Sequence, residues 1–150
     1  MRIISGKYKG RKIYPPKNLP TRPTTDRLKE GLFNILQNRL EFRNINVLDL
    51  YSGTGNISYE FASRGSLNIT SVDQNRLCTV FIKKTSLLLN TEINVVQSES
   101  INFLRKNNSK FHLIFADPPY EIEHNIYKII IDLSVEKLLT NGMLVIEHNK

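Results

Sequence analysis

The spacing of hydrophobic positions changes character part-way along this chain. Leu28, Leu32, Ile35, Leu36 and Leu40 recur at helical intervals, and Thr24 or Thr25 ahead of them is placed to cap a helix. Before that helix, Ile3, Ile4, Ile13 and Tyr14 flank the turn signals Gly6-Lys7 and Lys9-Gly10, which predicts an ordered hairpin. Between the two lies Pro15-Pro16-Lys17-Asn18-Leu19-Pro20, a connector whose prolines forbid regular structure. From Asn46 onward, short apolar runs alternate with helical patterns. Strands are predicted over 46–51, 68–73, 93–97, 111–116 and 143–147, the last one following an Asn141-Gly142 turn. Helices are predicted over 56–64, 75–90, 99–107 and 123–139. In the second of these, Leu77, Val80, Phe81, Leu87 and Leu88 share a side and are expected to face the core.

Strands that read as continuous apolar runs between helices belong to a parallel sheet covered on both faces. The expected fold is therefore α/β, a doubly wound sheet. Such sheets bind ligands beyond the carboxyl ends of their strands, so the residues just after each strand are the candidates for function.

Composition narrows the reading. With 150 residues, 40% of them hydrophobic, the chain can bury one core but not two. No apolar run approaches the roughly 18 residues needed to cross a bilayer. The first twelve residues carry Arg2, Lys7, Lys9, Arg11 and Lys12 where a signal peptide needs an apolar stretch, so a cytoplasmic protein without a membrane partner is expected. Cys78 is the only cysteine, and His112, His124 and His148 have no zinc-motif spacing, so neither a disulfide nor a metal is expected. The net charge of +7 is unevenly placed. Eight basic residues and one acid, Asp26, fall within residues 1–27, which accounts for the whole surplus. A basic block on a neutral body is the footprint of a polyanion partner, although a solvated tail has the same composition. The expected division is a basic hairpin and connector over 1–23 and a catalytic domain over 24–150.

The strand ends carry the candidate chemistry. The first strand holds Asp49 and runs through Tyr51 into Ser52-Gly53-Thr54-Gly55, with Ser58 where a dinucleotide fingerprint has its third glycine. Two glycines allow a tight turn and close approach of backbone to a ligand, and they also suit a turn with no ligand. Asp73 follows Gly55 by 18 residues, at the end of the second strand. An acid there can accept hydrogen bonds from both hydroxyls of a ribose, or cap the following helix. Glu99 lies past the third strand and Asp117 past the fourth, so four carboxylates converge on one sheet edge. With no Lys or Arg in the glycine turn, a pyrophosphate would be repelled and a cationic nucleoside attracted. The fourth strand ends in Asp117-Pro118-Pro119-Tyr120. Two prolines remove N–H donors and leave acceptors: the Asp117 carboxylate and the Pro118 carbonyl can take the hydrogens of an exocyclic amine, and Tyr120 offers a face for a flipped-out base.

The acid and glycine turn over 49–55, Asp73 and the tetrapeptide 117–120 resemble class I S-adenosylmethionine-dependent methyltransferases that act on amino groups. More narrowly, Gly10-Arg11-Lys12, Arg22-Pro23-Thr24-Thr25-Asp26-Arg27 and Glu30-x-Leu32-Phe33-Asn34 are similar to the RsmD family, which methylates the N2 of a guanine in 16S ribosomal RNA. The resemblance implies a Rossmann-like sheet of order 3-2-1-4-5 behind a small hairpin and helix extension. It implies S-adenosylmethionine as cofactor, with Thr24, Thr25, Asp49, Tyr51, Ser52, Gly53, Gly55, Asp73, Ser98 and Glu99 around it. Asp117, Pro118, Pro119 and Tyr120 would be catalytic. Arg11, Lys12, Arg22 and Arg27 would face 16S RNA or an assembly intermediate of the small subunit, bound by a monomer. Class I enzymes continue into sixth and seventh strands, and the expectation is that these are absent from this sequence, which would leave the fifth strand as an edge. Two other functions fit the same motifs: methylation of adenine N6 in DNA, and a non-catalytic RNA-binding assembly factor.

Overall fold

The computed structural model describes residues 1–20 and 24–148. Five parallel strands, β1 (Asn46–Leu50), β2 (Asn68–Asp73), β3 (Ile93–Gln97), β4 (Phe111–Ala116) and β5 (Leu138–Ile146), lie in the order β3-β2-β1-β4-β5. The expected topology is the observed one. β1 is central, and Val47, Leu48 and Leu50 are completely buried because helices cover both faces.

On one face, α1 (Asp26–Gln37) and α2 (Asn56–Ser63) pack through Phe33, Leu36, Ile57 and Phe61 against Val47, Ile69, Leu113 and Phe115. The rings of Phe33, Phe42 and Phe61 meet edge to face, with centroids 4.6 to 6.0 Å apart. On the other face, α4 (Ser100–Lys106) and α5 (His124–Glu136) contribute Leu104 and Ile130 to a cluster with Leu48, Leu50, Val72 and Ile114. α3 (Arg76–Leu88) packs on β2 and β3.

Three expectations are corrected. Thr25 caps α1, its Oγ1 accepting from Leu28 N at 3.2 Å, but Leu28 and Ile35 stay exposed while Lys29, Phe33 and Leu36 are buried. In α3, Leu77, Val80, Leu87 and Leu88 also face outward, and the buried face is Cys78, Thr79, Ile82, Thr85 and Ser86. Small hydroxyl residues suit close packing because they satisfy themselves locally: Thr79 Oγ1 donates to Arg76 O, and Ser86 Oγ to Thr91 O. Finally, α5 ends at Glu136 and residues 138–140 already belong to β5. Leu138 pairs with Phe111 and Met143 with Leu113, so Asn141-Gly142 forms an irregularity within the strand, not a turn before it.

The N-terminal hairpin is ordered but short of a ladder. One antiparallel bridge joins Arg2 to Lys12, supported by Ile3 N donating to Arg11 O and Ile13 N to Met1 O. Ile3 and Ile13 are buried with Tyr59, Ile82 and Leu89, so the hairpin shares a core with α2 and α3. Tyr14 is exposed.

Candidate functional site

A cavity of about 930 Å³ opens at the carboxyl end of the sheet, within the range of small-molecule sites. Three backbone positions just past β1 are left-handed: Tyr51 (φ +54°), Gly53 (φ +56°) and Gly55 (φ +86°). The turn they form is tied to β2. Ser52 donates through N and Oγ to Val72 O, and Gly53 N donates to Asp73 Oδ2 at 2.8 Å. Asp73 Oδ1 accepts from Asn75 N at 2.8 Å. The helix cap of α3 is Asn75, whose Oδ1 accepts from Leu77 N and Cys78 N, so Asp73 is not the cap. Both Asp73 oxygens keep lone pairs for a ligand hydroxyl. Burial raises its carboxyl pKa, against the two backbone N–H groups that lower it.

Asp49 is buried beneath this turn, accepting from Ser58 Oγ at 2.7 Å, and Ser58 in turn contacts Ser71 Oγ. The residue in the third-glycine position therefore serves the first acid of the motif. Burial, followed by the charges of Asp117 and Asp73, raises the Asp49 pKa to about 7, against the Ser58 hydrogen bond that lowers it. Glu99 caps α4, accepting from Ile101 N and Asn102 N, and still borders the cavity. Tyr51 N donates to Ser100 Oγ. Burial and the Glu99 charge push the Tyr51 hydroxyl pKa to about 12.

Of the sequence candidates, Thr24, Asp49, Tyr51, Ser52, Gly53, Asp73, Glu99, Asp117, Pro119 and Tyr120 border the cavity. Four do not. Thr25 is the α1 cap, Ser98 Oγ donates to Glu99 O, and Pro118 is buried. A Cβ on Gly55 would lie 2.7 Å from the Tyr59 ring, so Gly55 faces the core behind the turn. Arg11, Lys12 and Arg27 are exposed away from the cavity, and Arg22 lies outside the described residues. The sequence reading missed Glu121, one residue past the tetrapeptide, and the apolar wall of Ile101, Ile122 and Ile126. It had a signal for the wall, since Ile122 and Ile126 have helical spacing.

All five acids, Asp49, Asp73, Glu99, Asp117 and Glu121, border one cavity, and among the described residues lining it there is no Lys, Arg or His. This is a site for a ligand that carries positive charge and hydroxyl donors. Among the described residues there is also no cluster of metal-ligating side chains, and no helix is long and apolar enough to cross a membrane.

Comparison with known proteins points the same way. The family model described as Conserved hypothetical protein 95 matches residues 1–150. The chain is 32% identical over 149 residues to ribosomal RNA small subunit methyltransferase D of Buchnera aphidicola (subspecies Baizongia pistaciae), covering 99% of this chain and 76% of that protein. It is 30% identical to the protein of the same name from Escherichia coli K12, covering 98% of this chain and 71% of that one. The solved structure of yhhF from Escherichia coli superposes with a TM-score of 0.88 at 29% identity, over all of this chain and 81% of that one.

Proposed function

Because the chain belongs to the Conserved hypothetical protein 95 family and its sequence resembles the methyltransferases D, we propose that it methylates the exocyclic N2 of a guanine in 16S ribosomal RNA. It is an rRNA methyltransferase that uses S-adenosylmethionine. The observation carrying this reading is the cavity that ends in Asp117-Pro118-Pro119-Tyr120, lined by five acids and, among the described residues, by no Lys, Arg or His.

The residues present fit the cofactor. Asp73 faces the cavity with oxygens able to accept ribose hydroxyls, Glu99 and Tyr51 flank it, and the turn at Ser52 and Gly53 brings backbone close. The surrounding carboxylates favour a cation there. When bound, S-adenosylmethionine supplies an electrophilic methyl group on a sulfonium centre. The protein's task is to present the amine. An aromatic amine is a poor nucleophile because its lone pair is delocalised into the ring. In this reading the Asp117 carboxylate, which borders the cavity, accepts a hydrogen of the amine, orients its lone pair and stabilises the charge that develops on nitrogen, while buried Pro118 only stiffens the lip. Tyr120, 43% exposed at the cavity mouth, stacks on the base. Alignment contributes the remainder of the acceleration. The extension over residues 1–23, with Arg11, Lys12 and Arg22, holds the RNA backbone together with Arg27.

The test is transfer of labelled methyl from S-adenosylmethionine to 16S RNA and to small-subunit particles, followed by nucleoside digestion. N2-methylguanosine is the expected product. N6-methyladenine formed on DNA, or binding of particles without transfer, would replace this reading by one of its two rivals.

A further inference from the structure

Lys29 is fully buried on α1, and its ammonium reaches the hairpin and two residues of α2. It donates to Arg2 O in the hairpin at 2.5 Å and to Asn56 Oδ1 at 2.8 Å, and it lies 3.3 Å from Glu60 Oε1. Asn56 is the first residue of α2 and follows Gly55 directly, so its side chain hangs from the end of the glycine turn. Glu60, also fully buried, is turned toward the hairpin: its oxygens accept from Ile4 N at 2.8 Å and Ser5 N at 3.1 Å, and Arg64 Nε closes the cluster at 2.9 Å. Desolvation lowers the Lys29 pKa, against the pull of Glu60.

A buried ion pair is a poor way to gain stability, because apolar side chains of similar volume fill such a space as well or better. Its use is geometric, since every member must stay in place to avoid an unpaired charge. Here the fixed geometry joins two functional parts. The same hairpin residue whose carbonyl Lys29 holds, Arg2, is bridged to Lys12, and its neighbour Ile3 takes the Arg11 carbonyl. A displacement at Asn56 is therefore passed through one ammonium to the backbone that carries Arg11 and Lys12. A second contact runs in parallel, from Thr54 Oγ1 to Met1 Sδ at 3.8 Å.

We infer that Lys29, with Glu60, is a positioning residue that couples the cofactor turn to the cationic hairpin, so that occupancy of either site raises affinity at the other. The inference rests on the reading that Arg11 and Lys12 contact RNA. Ligand held by Ser52 and Gly53 fixes the turn, the turn fixes Asn56, and Lys29 then holds Arg2 in one position. By linkage the effect is reciprocal.

The experiment measures the affinity of the full chain for a 16S RNA transcript with and without saturating S-adenosylhomocysteine. In the parent, the cofactor product is expected to tighten RNA binding by about fivefold or more. In the charge-neutral pair Lys29→Met with Glu60→Gln, which removes both charges of the pair together, that ratio is expected to fall to about one. Asn56→Ala keeps the ion pair and removes its link to the turn; because Asn56 also lines the cavity, the ratio is read at a concentration of S-adenosylhomocysteine that saturates the variant, and it should fall even where the double variant folds poorly. A parent ratio of one, or an unchanged ratio in Asn56→Ala, overturns the coupling alone. Arg11→Ser with Lys12→Ser separates the other failure: unchanged RNA affinity there would remove the hairpin from RNA contact, and the coupling with it.

Discussion

Ser58 Oγ donates a 2.7 Å hydrogen bond to Asp49 Oδ2, and both side chains are buried beneath the cavity. An acid so placed answers to pH in a direction opposite to an ordinary salt-bridged carboxylate. The folded Asp49 carboxyl keeps its proton up to about pH 7, whereas the ordinary value is 3.8. Between those values the folded state binds the extra proton, so this group's contribution to stability falls as pH rises. Asn at this position does not titrate. The stability of Asp49→Asn relative to the parent should therefore climb from about pH 4 to about pH 7, by at most about 1.4 kcal/mol per unit, and level off above. Denaturant melts at a series of pH values measure it. A flat difference would mean that Asp49 ionises normally.

The hairpin is docked through Gly6. Its φ is +88°, and a Cβ there would sit 1.9 Å from Ser63 O, the oxygen that accepts from Lys7 N. Gly6→Ala must break that seat, at a cost of about 1–2 kcal/mol from the left-handed backbone alone. Residues 1–14 should then become cleavable in limited proteolysis while the sheet stays folded. Equal resistance in variant and parent would show that the hairpin tolerates the shift.

The layers of this fold are legible in the sequence because parallel strands buried on both sides read as apolar runs, and all four strand-end acids can be found from those runs. Helix faces are harder. Leu77, Val80, Leu87 and Leu88 outweigh Thr79, Thr85 and Ser86 on any hydrophobic count, yet the hydroxyl side packs inward because its polar atoms find partners within a few residues. The partnership of Lys29 and Glu60 spans 31 positions, and local spacing carries no trace of it. The glycine motif assigns Gly55 to the ligand, but its missing Cβ makes room for Tyr59.

Asp73 fastens the turn, and the proposed function adds a contact to ribose; its replacement should expose both. Asp73→Ala removes the acceptor offered to a ribose and also releases Gly53 N and Asn75 N. Affinity for S-adenosylmethionine should fall by about 1.5–3 kcal/mol, the usual magnitude for hydrogen bonds to a charged group. Calorimetric titration reads this directly. An unchanged dissociation constant would reduce Asp73 to a fastener of the turn.

The role proposed for Asp117 falls later in the reaction. Asp117→Ala should leave cofactor affinity within a few-fold and lower the methyl-transfer rate by about a hundredfold or more, because the missing acceptor matters most once charge develops on nitrogen. Single-turnover kinetics at saturating cofactor isolates that step. Full-rate transfer in the variant would remove Asp117 from the chemistry and leave the tetrapeptide as a shaped lip.

The charge placement yields the last expectation. An acidic cavity repels an RNA backbone, so the phosphate-binding groups must lie elsewhere, and the surplus charge of the chain is within residues 1–27. Arg11 and Lys12 are exposed on the hairpin, and Arg27 is exposed in the first turn of α1. Replacing these three by Ser should weaken RNA binding and flatten its salt dependence by up to about 2–3 units, at about 0.7–0.9 for each phosphate no longer neutralised. Cofactor affinity in the absence of RNA should barely move, since none of the three borders the cavity. Binding measured across a salt series distinguishes the outcomes. A weaker complex with an unchanged slope would point to a misplaced hairpin that never neutralised phosphate, and an unchanged complex would leave these cations as solvated surface.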